Sequence, residues 1–135
     1  MSQRLVADTT TIALEKALDG TALQHRLIAN NLANLETPGF VASHARFEEV
    51  LRSALADERA AGGLRTGTRA SPLDEVQPYV VRATATPAGP DGNNVDIEAE
   101  MTALSESSLR YELLTRLLTK KLRMVGVAIG DGKRG

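Results

Sequence analysis

A mainly α fold is predicted: two long terminal heptad helices pairing as an antiparallel coiled coil, one short helix and a long irregular middle loop. Three observations lead there. Apolar residues recur in alternating steps of four and three at both ends of the 135-residue chain. Of the 33 residues from 62 to 94, nine are Gly or Pro, about 27%, a density associated with irregular structure. Finally, a Pro-Gly pair follows the first apolar repeat directly, which marks a sharp stop.

The first helix is expected from about Asp8 to Leu35. Asp8 is a suitable N-cap, and Leu5 or Val6 could staple onto the first turn. Its seam is Leu14, Leu18, Ile28, Leu32 and Leu35, with Thr21 and His25 as polar interruptions and Leu23 and Leu27 widening it. Gly20 weakens the middle by about 1 kcal/mol relative to Ala. Thr37 precedes Pro38 and so leaves the helical region, and Pro38-Gly39 fits the centre of a type II turn.

A shorter helix is expected from about Ala45 to Ala60, with Phe47, Val50, Leu51 and Leu55 on one face. Beyond it the chain offers few apolar groups, apart from one short strand at Tyr79-Val80-Val81. The last helix spans about Val95 to Ile129, with Asn94 as its expected cap. Its seam is Ile97, Met101, Leu104, Tyr111, Leu118, Leu122 and Val125, with Ser108 and Thr115 as interruptions. Acidic residues gather in its first half and Arg110, Arg116, Lys120, Lys121 and Arg123 in its second, the order the helix dipole favours. The organisation is then residues 1–61 (first helix, corner and short helix), 62–94 (irregular middle) and 95–135 (last helix and tail).

Leu113, Leu114, Leu117 and Met124 widen the apolar face of the last helix beyond what one antiparallel partner covers. That width predicts an assembly subunit whose terminal helices fray when free and order when neighbours cover them.

Composition excludes several classes. Hydrophobic residues make up 42%, charged residues 24% and aromatics 3%, with a net charge of -1. A dedicated nucleic-acid binder would carry a basic excess, and a highly charged disordered chain would hold fewer apolar groups. With no Cys there is no disulfide framework, thiolate metal site or thiol nucleophile. No run approaches the ~18 apolar residues of a membrane span, and the N-terminus lacks the apolar stretch of a cleaved signal peptide.

Chemistry is sparse. Gly62 and Gly67 have phosphate-loop spacing, but Thr68-Arg69 replaces the Lys and hydroxyl residue that should follow. His25 lies on the first seam as a packed residue, and His44 has no carboxylate or Ser at a recognisable catalytic or metal-ligand spacing. The pairs Glu48-Glu49 and Asp57-Glu58 diverge by about 100° on a helix. No catalytic, cofactor or metal site is expected.

The corner is different. Asn30, Asn31 and Asn34 crowd the end of the first helix, where Asn is a poor interior residue. Their amides can bond the carbonyls released there and the backbone of the returning loop. The run from Ala29 through Asn30, Asn31, Asn34, Thr37, Pro38 and Gly39 to Phe40 closely resembles the signature of the bacterial flagellar basal-body rod protein family. Asp91 to Met101 and Ser108 to Glu112 resemble that family's proximal rod members; a sister proximal rod protein shares the N-terminal signature and stays open as an alternative. One departure is Phe40, where many relatives have Tyr.

The resemblance implies a structural protein exported by the flagellar type III apparatus without a cleaved signal and assembled helically in the periplasm, as part of the drive shaft for motility. It implies as partners other rod proteins, copies of the same chain, a FliE-type adaptor at the MS ring and export gate, and the export apparatus itself. It also marks Phe47 and Leu51 as a candidate export element, although an i, i+4 apolar pair on a helix explains them more simply. Two rival classes remain: a self-contained coiled-coil adaptor docking one helical partner, and an enzyme using His44 with the acids of the second helix.

Overall fold

Asp8 opens the first helix as expected: its carboxylate accepts the backbone N–H of Thr11 at 2.8 Å. The computed structural model describes residues 8–61 and 71–132, so Leu5, Val6 and the glycine pair with phosphate-loop spacing fall outside the described residues. In chain order the elements are α1 (Thr9–Ala33), β1 (Ser43–Arg46), α2 (Glu48–Ala60), β2 (Tyr79–Arg82) and α3 (Ile97–Gly132). The chain is thus mainly helical with a small antiparallel sheet. Among the described residues, no helix is long and apolar enough to cross a membrane.

Boundaries shift where side chains compete for the backbone. α1 ends at Ala33, two residues before Leu35, where the N–H of Asn34 is shared between the carbonyls of Asn30 and Asn31 and that of Leu35 tightens back to Leu32. α2 begins at Glu48, not Ala45, because Ala45 and Arg46 are drawn into β1. Asn94 does not cap α3, which starts at Ile97; Asp96 does, its carboxylate accepting the N–H groups of Glu98 and Ala99.

From residue 71 onward the middle of the chain carries one short strand and one packed turn. β2 pairs antiparallel with β1, Ser43 opposite Arg82 and Arg46 opposite Tyr79. Before it, residues 71–76 form a tight turn in which the Ser71 hydroxyl accepts the N–H of Leu73 and donates to Glu58 on α2. That turn delivers Leu73 and Val76 into a core with Ile12 of α1 and Ala54 of α2, and Leu51 and Leu55 pack against it. Irregular backbone still connects these elements within residues 71–96, and the expected short strand is β2, but the turn at 71–76 packs on the core. Gly and Pro density locates turns, but two apolar residues three apart on one turn are enough to anchor it.

α1 and α3 lie side by side in opposite directions. Asn31 meets Glu100, His25 meets Ser107, and Asp8 pairs with Lys121. At 1.5 Å per residue α1 is about 37 Å long and α3 about 54 Å, so α3 extends past α1. The Lys121 ammonium, 2.6 Å away, holds the Asp8 carboxyl below its ordinary pKa, against the opposing effect of partial burial.

Candidate assembly interface

The corner after α1 is built from amides and glycines. Phe40 N–H bonds the Thr37 carbonyl around Pro38 and Gly39, and Gly39 has φ +72°, as the type II turn requires. Asn34 donates to the carbonyl and amide oxygens of Asn30 and accepts the Thr37 hydroxyl. The carbonyls just past the end of α1 find a further partner that sequence reasoning missed. The Asn93 amide reaches the carbonyls of Asn34, Leu35 and Thr37 at 2.8, 3.1 and 2.8 Å.

Asn94 accepts the N–H of Ala42 and donates to the carbonyl of Ala83, tying both strand ends to the start of α3. Gly39 N–H bonds the Asp91 carbonyl, and a Cβ at Gly92 (φ +82°) would stand 3.3 Å from Gly39 Cα. Two glycines thus meet back to back where the corner closes. The doublet Asn93-Asn94, following the turn at Asp91-Gly92, mirrors Asn30-Asn31; that symmetry was the available signal.

Asn31 is 1% exposed and works as a strand partner. It exchanges two hydrogen bonds with the backbone of Ser43, while Gln24, seven residues earlier, accepts the N–H of Ala45. These two amides satisfy the β1 edge that faces α1. The Asn31 amide also donates to one Glu100 oxygen at 3.1 Å, and His44 meets the other at 2.8 Å.

No sequence spacing pointed to a carboxylate for His44; the fold supplies one from 56 residues away. Both oxygens of this buried carboxylate are engaged within the fold, so the cluster fastens α1, β1 and α3 together. The inward column on α3 is likewise polar where Ser107 sits 3.4 Å from the half-buried His25.

Phe47 is buried against the backbone of α1. A Cβ at Gly20 would stand 2.4 Å from the ring, which explains a glycine in mid-helix. Leu51, four residues on, is half-buried beside the core.

The heptad positions divide. Ile28 is fully buried; Leu14, Leu18, Leu32, Leu35, Leu104, Leu118 and Val125 are half-buried. Ile97, Met101, Tyr111 and Leu122 are 50%, 49%, 46% and 45% exposed. The column facing α1 is instead Glu100, Ser107, Leu114 and Lys121, one residue away around the helix from Met101, Ser108, Thr115 and Leu122. The polar contacts to Asn31, His25 and Asp8 select that column, which the alternation of apolar residues could not.

No protein-family model matches the chain. Curated relatives do. The flagellar basal body rod protein FlgB of Borrelia hermsii is 32% identical over 121 residues, covering 83% of this chain and 89% of that protein. FlgB of Yersinia enterocolitica is 33% identical over 106 residues (73% and 77%), and FlgB of Bacillus subtilis 27% over 122 residues (89% and 92%). With identity above 30% across most of this chain and most of the relative's length, the chain belongs to the FlgB family of flagellar basal body rod proteins.

Proposed function

We propose that the protein is a structural subunit of the proximal rod, polymerising with other rod proteins into the drive shaft for motility. The observation that carries this reading is the outward half of the α3 surface. Ile97, Met101 and Leu122 on one side, and Leu113, Leu117, Met124 and Val127 on another, are large apolar groups left open beside the face that α1 covers. Packing of Leu14, Leu18, Ile28, Leu32 and Leu35 against Leu104, Tyr111, Leu118 and Val125 as an antiparallel coiled coil, extended by neighbouring subunits, is the assembly mode this reading entails.

Family kinship supports placement in the basal body, in the periplasm after type III export, next to a FliE-type adaptor. In that reading Phe47 and Leu51 serve export only in the unfolded chain, because Phe47 is buried once folded. The signature residues Asn30, Asn31, Asn34, Thr37, Pro38, Gly39 and Phe40 act by fixing the corner that sets the relative placement of the helices.

The test is to replace Leu118 by Asp in the host bacterium and follow swimming, secretion and recovery of the chain in purified basal bodies. An unpaired charge in the α1–α3 seam costs several kcal/mol. The expected result is a secreted, non-motile variant missing from basal bodies. Absence of the wild-type chain from basal bodies, or saturation at a fixed ratio with one partner instead of polymerisation, refutes the reading.

A further inference from the structure

Two exposed apolar patches lie at opposite ends of α3 and on different sides of it. At the N-terminal end, Ile97 and Met101 stand beside the exposed Glu98. Toward the C-terminal end, Leu113 (57% exposed), Leu117, Met124 and Val127 (62%) surround Lys120 and lie beside Arg123. Glu98, Lys120 and Arg123 have no ion-pair partner among the described residues, whereas Arg110, Arg116 and Lys121 are each paired with an acid.

We propose that the acidic patch around Met101 docks on the basic patch around Met124 of a second copy of this chain, in a staggered head-to-tail contact. This rests on the reading of the chain as a rod subunit and names which surfaces meet. Charge decides the pairing. A two-fold contact of either patch with itself would oppose Glu98 to Glu98, or the Lys120 and Arg123 pair to its own copy, and like charges against a desolvated apolar patch repel. The unlike pairing neutralises both flanks and buries both patches. A contact between two different surfaces passes from copy to copy and builds an open helical array wherever the rotation between copies does not close it into a ring, as a shaft subunit requires. The patches are about 35 Å apart along one rigid helix, so one chain cannot satisfy both with itself.

The chain has no Cys, so single cysteines report cleanly. Copies carrying Met101→Cys and copies carrying Met124→Cys are co-expressed in the host, and basal bodies are purified under mild oxidation. The expected result is a disulfide-linked dimer of the mixed pair, with at least tenfold less dimer when either variant is expressed alone. As a second measurement on the full chain without cysteines, Glu98→Lys weakens self-association in sedimentation at least tenfold. Adding Lys120→Glu and Arg123→Glu to the Glu98→Lys chain restores it. Dimer from Met101→Cys alone, cross-linking only to a different rod protein, or failure of the charge reversal to rescue association overturns the proposal. Recovery of the wild-type chain in basal bodies separates the two readings: if it is present and the mixed disulfide is absent, only the docking assignment falls.

Discussion

Substituting Gly20 by Ala sets two effects against each other. In an open helix interior the change stabilises by about 1 kcal/mol, because glycine loses more backbone freedom on folding. Here the new Cβ would stand 2.4 Å from Cγ and Cδ2 of Phe47 and 2.7 Å from Cδ1. Carbon atoms in contact prefer roughly 3.5–4.0 Å, so the ring must retreat by about 1 Å from a site where it is 6% exposed. Overpacking of this kind costs about 1–3 kcal/mol, which outweighs the propensity gain.

The expected outcome is a chain about 1 kcal/mol less stable, measured by urea unfolding followed by far-ultraviolet circular dichroism. In a Phe47→Leu background the smaller side chain can yield, so Gly20→Ala should turn neutral or stabilising. The resulting coupling between the two positions is about 1–2 kcal/mol. If Gly20→Ala stabilises by about 1 kcal/mol in both backgrounds, the ring does not rest on this glycine and the reasoning fails.

Three further outcomes follow from the corner and the helix ends. Gly39→Val should cost about 1–2 kcal/mol through the left-handed backbone alone, since a Cβ there meets nothing within 4 Å, and Gly39→Asn should cost less; equal losses in thermal unfolding would contradict this. Asn93→Ala removes the amide shared by three carbonyls, of which those of Asn34 and Thr37 keep the N–H groups of Thr37 and Phe40, and should cost about 1–3 kcal/mol; Asn93→Asp should be no better, because a carboxylate cannot donate to them, and faster hydrogen exchange at the end of α1 is the readout. Asp8→Asn keeps the cap and loses the Lys121 ion pair, for less than about 1 kcal/mol at neutral pH. Because the folded carboxyl titrates below its ordinary value of 3.8, the wild-type advantage is present above that pH and disappears as pH falls through the lower folded value; a gap that widens in acid would refute the assignment.

The sequence by itself determined the parts governed by local rules. Periodicity placed α1 and α3, Asp8 announced its cap, and Pro38-Gly39 announced the turn, because each depends on residues within a few positions of one another. Only the tertiary structure decided which column of α3 faces α1, why a glycine interrupts α1, and what holds the middle segment. Those answers depend on partners far apart in the chain: Glu100 with Asn31 and His44, Gly20 with Phe47, Asn93 with the end of α1, and Leu73 and Val76 with Ile12. An apolar stripe wider than one seam fits several neighbouring columns about equally well by burial alone. The hydrogen-bond demands of buried amides and a buried carboxylate, satisfied in only one rotation of the helix, choose among them.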